Sequence, residues 1–126
     1  MIRGIRGATT IDYDEDRCIT EATEELLREM IKANNVRACD VASVLISVTD
    51  DITAAFPAKA LRNIEGWMYV PVMCMREIPV PNSLPRCIRV MMTVNTTKKQ
   101  EEIRHIYLRN AVQLRPDLSL TREDKM

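Results

Sequence analysis

In the run Cys87-Ile88-Arg89-Val90-Met91-Met92-Thr93-Val94, a single guanidinium stands among apolar side chains. Arginine keeps its charge at any pH a protein meets, and leaving that charge buried and unpaired costs several kcal/mol. Arg89 therefore needs a carboxylate, access to solvent, or an anionic ligand. Glu77, at the end of the preceding apolar run, is the nearest candidate partner. The three outcomes imply an internal ion pair, a plain surface charge, or a cation aimed at a bound anion. Further cations stand at Arg6, Lys59, Arg62 and Arg115. Read by itself, Arg6 between Ile5 and Gly7 is a solvated charge. Lys59 and Arg62, three residues apart, read as one basic helix edge.

Other chemistries are poorly provided for. His105 is the only histidine, and nothing near it in sequence completes a nucleophile–base pair, so it reads as structural. The four cysteines, Cys18, Cys39, Cys74 and Cys87, contain no CxxC pair and no metal-ligand spacing. No metal and no cofactor are expected, and the cysteines read as reduced thiols. Cys74 and Cys87 suit small core positions.

A chain of 126 residues with 46% hydrophobic and 29% charged side chains is expected to form one globular domain over its whole length. Its rings are few (Tyr13, Phe56, Trp67, Tyr69 and Tyr107), so the core must be aliphatic and base-stacking readout of nucleic acid is hard to assemble. A formal charge of zero removes the electrostatic footprint for nucleic acid or an anionic membrane. MIRGIRGATT does not resemble a signal peptide, and no apolar run approaches the roughly 20 residues that span a bilayer, so a cytoplasmic protein is expected.

These side chains need elements to carry them. Residues 2 to 11, with β-branched side chains and glycines, read as a strand holding Arg6. Tyr13 to Arg17 is a polar turn. Thr20 to Asn34 is the clearest helix: Thr20 suits the N-cap, and Glu21, Glu24 and Glu25 suit the positive end of the dipole. Ala22, Leu26, Leu27, Met30 and Ile31 share its inner face, and Asn34-Asn35 suits its C-cap. Val41 to Val48 reads as a strand buried on both faces. With the first strand and the helix it forms a βαβ unit, which favours right-handed parallel pairing of the two strands.

A short helical turn is expected at Ile52 to Ala55, and Pro57 then opens a helix to Ile64. Trp67 to Glu77 reads as a strand, Ile78 to Pro85 as a stiff loop with three prolines, and Cys87 to Val94 as a strand forming a hairpin-like unit with the one before. Asn95 to Gln100 is polar. Glu101 to Leu108 reads as a strand ending in a short helical turn. The charged tail, residues 116–126, is expected to be loosely held. The fold class is α+β or α/β, a mixed sheet with helices on one face. The other face needs cover that so short a chain does not supply, and an oligomer whose sheets pack together is expected.

Several segments, read in one register from Met1 to about Thr121, carry a family resemblance. MIRGIRGATT, FPAKA at Phe56 to Ala60, GWMYVPVMCMREI, CIRVMMTV, IRHIYL and LRPDLSLT together resemble the small monofunctional chorismate mutases of the trimeric pseudo-α/β-barrel class. The resemblance implies a homotrimer whose sheets pack into a barrel-like core, with active sites between subunits and chorismate as substrate. It places Arg89 beside the ether oxygen of the breaking bond and Arg6 on a substrate carboxylate. Glu77 and Cys74 would meet the ring hydroxyl, and Tyr107 would bond the side-chain carboxylate. Phe56, Ala58, Lys59 and Arg62 would come from the neighbouring subunit, and Leu114 and Arg115 would help to close the site. Glu77 is then expected to share a cleft with Arg89, each facing a different part of one ligand, rather than to close on it as an ion pair.

The chemistry implied suits the residues. A unimolecular pericyclic rearrangement needs no nucleophile, metal or proton shuttle, only a folded dianion held in place and charge stabilised on the departing oxygen. One fixed donor in a water-poor site is worth about 2.7–4 kcal/mol. Strict alternation puts Cys74 and Glu77 on opposite faces, so a shared site requires the strand to bulge or end near Arg76-Glu77. A trimeric enamine/imine hydrolase is the competing enzyme, but its proline-arginine signature near the C-terminus is reversed in LRPDL. A non-enzymatic carboxylate-binding module is the third reading.

Overall fold

A computed structural model describes residues 1–114; the tail at 116–126, and Arg115 with it, lie outside the described residues. Five strands form one sheet: β1 (Ile2–Thr10), β2 (Val41–Val48), β3 (Val72–Arg76), β4 (Cys87–Asn95) and β5 (Ile106–Tyr107). One long helix, α1 (Asp16–Asn34), crosses one face, joined by a 3₁₀ helix at Pro57–Asn63. The spatial order is β3-β2-β4-β1-β5, with β2–β3 and β1–β5 parallel and both pairings of β4 antiparallel. The sheet is mixed, as expected.

Strand partners differ from the expectation in two places. β1 and β2 run the same way but do not pair, because β4 lies between them and is antiparallel to both. β4 takes the centre because Ile88, Val90, Met92 and Val94 form an unbroken buried row, and a central strand buries such a row best. β3 and β4 are likewise no hairpin, since β2 separates them and the proline loop spans the gap.

Four large side chains of α1 (Ile19, Leu26, Leu27 and Met30) are fully buried against Ile5, Val44, Ile46, Ile88 and Met92. Their burial stabilises by on the order of 8 kcal/mol before entropy. The exposed pairs Arg17–Glu21 and Arg28–Glu24 are screened by solvent and add little, so packing decides the helix. Gly7 permits the close fit: a Cβ there would lie 2.5 Å from Met30 Sδ.

The helix starts one turn before Thr20. Glu15 is the extended residue at its N-terminus, and the Thr20 hydroxyl instead donates to Asp16 within the first turns. Asn35 ends it in the left-handed conformation, as the Asn34-Asn35 pair suggested.

Residues 64–70 form successive turns rather than the start of β3. Gly66 has φ +88°, and Pro71 has no N–H to give a ladder. Trp67 is buried in the core all the same. Ile52 to Ala55 is an open bend, because Asp14 accepts the Thr53 and Ala54 N–H groups that a helical turn would need. At Glu101 to Leu108 a 3₁₀ turn, Gln100–Glu102, comes before the two-residue β5, and the helical turn that follows the strand, Arg109–Leu114, lies beyond Leu108.

β2 is buried on one face only. Leu45 is 41% exposed on the side away from α1, beside Met73 at 65%, Met75 at 40% and Met91 at 40%. This second face of the sheet has no cover from the described residues, as the short chain led us to expect.

Candidate active site

Alternation along β4 turns Ile88, Val90 and Met92 towards α1, and so turns Arg89 and Met91 to the uncovered face. Register sets their neighbours. Ser47 and Ala8 flank Arg89, while Leu45 and Arg6 flank Met91. β3 ends at Arg76, and the Glu77 N–H continues the ladder by donating to Val48 O at 2.8 Å. Tyr107 of β5 pairs with Ala8. Arg6, Glu77, Arg89 and Tyr107 therefore line one cleft, floored by Leu45, Ser47, Met75 and Met91.

Within it Arg89 and Glu77 are in direct contact, Nη1 donating to Oε2 at 2.9 Å. They do not stand apart as the resemblance implied. Nor is the pair sealed: the side chains are 44% and 24% exposed, so a ligand can compete for the guanidinium. Ser47 Oγ donates to the same Oε2 at 2.9 Å, and the Ile78 N–H donates to Oε1 at 3.2 Å. Partial burial would raise the Glu77 pKa. The Ser47, Ile78 and Arg89 donors outweigh it and hold the carboxyl below its ordinary value, so Glu77 is an anion at neutral pH. The Arg6 guanidinium has no partner among the described residues and faces the same cleft.

Cys74 is not in this cleft. It sits on the opposite face of β3, packed towards the core, with the Ala58 N–H donating to its sulfur. Burial raises its pKa. The strand neither bulges nor ends soon enough to bring Cys74 round to Glu77. It belongs instead with the 57–63 segment, where Phe56, Ala58, Lys59 and Arg62 line a second depression with Leu61, Trp67 and Met68. Phe56 is 73% exposed there. Lys59 Nζ donates to both carboxylate oxygens of Asp16, at 2.7 and 2.9 Å, which lowers the Asp16 pKa. Leu114 closes the described chain, and Arg115 lies beyond it.

The two groups of site residues are thus on different faces of one protomer. The first cleft encloses about 270 Å³. That is just under the roughly 300–1,000 Å³ of pockets that bury a small ligand. Among the described residues no group of three or more His, Cys, Asp or Glu is placed to hold a metal ion, and no helix is long and apolar enough to cross a membrane.

Sequence reasoning missed two contributors. Ser47 shares a face with Leu45, and period-two reading of VASVLISV would have exposed it. His105 is the other: its Nδ1 accepts the Arg6 backbone N–H at 2.9 Å. Nothing in the sequence signals that contact. The proline loop, of unassigned contacts, lies against Thr49, Asp50 and Asp51.

Known proteins match this chain in sequence and in fold. The family model described as chorismate mutase type I matches residues 2–118. The chain is 52% identical over 126 residues to the chorismate mutase AroH of Bacillus subtilis, covering 100% of this chain and 99% of the relative. It is 51% identical over 119 residues to the AroH of Thermus thermophilus, covering 94% and 97%. A solved chorismate mutase from Clostridium thermocellum superposes with a TM-score of 0.86 at 47% identity, over 88% of this chain and 98% of that one.

Proposed function

The chain belongs to the chorismate mutase type I family, and from that premise we propose that it isomerises chorismate to prephenate, the branch reaction towards phenylalanine and tyrosine. One observation carries the reading at the level of chemistry: Arg89, Arg6, Glu77 and Tyr107 converge on one partly solvated cleft. Such a set holds and polarises an anion, and it contains no nucleophile–base pair.

In the rearrangement one C–O bond breaks and one C–C bond forms within a single molecule, with no proton or electron exchanged. Arg6 and Tyr107 hold substrate carboxylates, fixing the folded conformer. Glu77 accepts the ring hydroxyl. Arg89 keeps its other N–H donors for the ether oxygen as negative charge builds there, where a planar, permanently charged fork is worth most. Its contact with Glu77 orients the guanidinium before substrate arrives.

The site is completed by a neighbouring subunit in a homotrimer, which brings Phe56, Ala58, Lys59, Arg62 and Cys74 against the cleft. Leu114 and Arg115 close it. Support comes from the uncovered apolar face and from the smallness of the single-protomer cleft. As an enzyme of aromatic amino-acid biosynthesis, it acts in the cytoplasm.

The deciding experiment follows the ultraviolet absorbance of chorismate's diene with purified protein and no added metal or nucleotide. Loss of absorbance with prephenate formed is the expected result. Chorismate or prephenate raising the melting temperature without turnover would replace the reading with a carboxylate-binding module.

A further inference from the structure

β5 has only two residues, yet it must hold Tyr107 and the edge of β1 in register. Beyond the paired residues, the Leu108 N–H donates to Ala8 O at 2.9 Å. On the other side the next rung would need an acceptor for the Arg6 N–H. The Arg104 carbonyl is not available for it. The buried Asn34 side chain donates to that carbonyl at 2.8 Å and accepts the Arg104 N–H at 2.8 Å, turning both backbone groups of Arg104 towards the end of α1. The imidazole of His105 supplies the acceptor in its place: Nδ1 receives the Arg6 N–H at 2.9 Å, which puts the ring proton on Nε2.

We propose that His105 is a positioning residue, an imidazole rung that fixes the Arg6 backbone so that the guanidinium reaches its ligand's carboxylate. The inference rests on reading Arg6 as a substrate-binding cation. The Arg6 guanidinium lies at the end of a long, rotatable side chain, so a small tilt of its backbone becomes a large displacement in the cleft. The same imidazole ties β1 to the segment that presents Tyr107. One acceptor thereby sets the relative position of two ligand-binding groups. Asn34, through Arg104, sets where that acceptor stands.

A carboxylate held alike in ground and transition states affects KM more than kcat. The test is steady-state chorismate kinetics on the full chain for wild type, H105L, H105N, R6A and the double variant R6A/H105L. Leucine has no acceptor, whereas asparagine places Oδ1 where Nδ1 stands. H105L is expected to raise KM roughly tenfold, the size of one lost hydrogen bond that leaves a partly buried donor unpaired, with kcat changed by less than about threefold. H105N is expected to stay within about threefold of wild type in KM. In the R6A background H105L is expected to add less than about twofold, because the two act through one contact.

H105N and H105L falling together, neither falling, or an additive loss in the R6A background would overturn the proposal. If circular dichroism shows H105L unfolded, H105Q, whose amide lies one methylene farther out, is compared with H105N by the same criteria. A wild-type protein without turnover, or R6A with an unchanged KM, refutes the reading of Arg6 itself and removes the basis of the inference. That failure is visible before any His105 variant is made.

Discussion

Nη1 of Arg89 and Oε2 of Glu77 lie 2.9 Å apart, and the same Oε2 accepts from Ser47. One carboxylate oxygen thus collects a cation from β4 and a hydroxyl from β2. The pair is partly wet, so its own contribution to stability is modest, about 1 kcal/mol or less. Its value is orientation. A guanidinium pinned at one corner by a carboxylate that is itself pinned presents its remaining edge in a fixed direction.

Arg89→Lys keeps the charge and removes the fork. A lysine ammonium can pair with Glu77 or point at the ether oxygen, but it lacks the geometry to do both. The expected result is a fall in kcat of about 10²–10³-fold, the loss of one preorganised donor, with the melting temperature nearly unchanged. Near-normal kcat in a folded R89K protein would refute the role given to Arg89.

Asp14 governs the segment that leads to Phe56. Its carboxylate accepts the Thr53 N–H at 3.0 and 3.1 Å, the Thr53 hydroxyl at 2.9 Å and the Ala54 N–H at 3.1 Å. Burial would raise its pKa; the Thr53 and Ala54 donors outweigh that and leave it below the ordinary 3.8. A carboxyl that binds its proton more weakly when folded adds stability above its unfolded pKa. That stability is lost as pH falls through the lower folded value. Asp14→Asn should therefore unfold about 1 kcal/mol more easily than wild type near neutral pH, with the difference shrinking in acid. Urea melts at both pH values check this, and a difference that stays constant would remove the charge from the explanation.

How far the site could be read from sequence depends on which contacts are local. Arg89 was conspicuous because one charge in an apolar strand has few innocent explanations. The opposition of Cys74 and Glu77 followed from alternation alone, and it holds. Strand order was not legible, because inserting β4 between β1 and β2 is decided by which strand has the most apolar surface to bury on both sides of its ladder. Nor was the start of α1. Thr20 has the chemistry of a cap, yet the backbone turns at Glu15, and Thr20 settles on Asp16. Nothing local marks His105 as more than structural, since a ring nitrogen replacing a carbonyl depends on where Asn34 has turned the Arg104 carbonyl.

Gly7 tests the seating of Arg6 from the opposite side of the sheet. A Cβ there would lie 2.5 Å from Met30 Sδ and 3.1 Å from Leu26 Cδ1. Met30 is flexible, so part of the clash can be absorbed, but both side chains are fully buried. Gly7→Ala is expected to cost about 1–3 kcal/mol in urea unfolding. Unchanged stability would mean that α1 does not press on β1 as described. Gly4→Ala is the milder comparison, since its Cβ would meet only Met91 Sδ at 3.1 Å, on the uncovered face.

Leu45 tests the oligomer. It faces Met91 across the β2–β4 pairing on the uncovered side, and the two are 41% and 40% exposed in one protomer. If sheets pack together there, wild type should elute as one species of about three times the 14.5 kDa chain mass. A glutamate at position 45 would then put an unpaired charge into an apolar interface, at a cost of several kcal/mol. Within a protomer the same side chain meets solvent and should fold normally. Leu45→Glu is therefore expected to give a folded protein of single-chain mass without chorismate turnover, both because each cleft lacks its second wall and because the new charge sits on the cleft floor. Light scattering coupled to gel filtration, with circular dichroism and the chorismate assay on the same fractions, separates the alternatives. A Leu45→Glu protein still at three times the chain mass would place the interface elsewhere, and a monomer with full activity would show that one protomer holds a complete site.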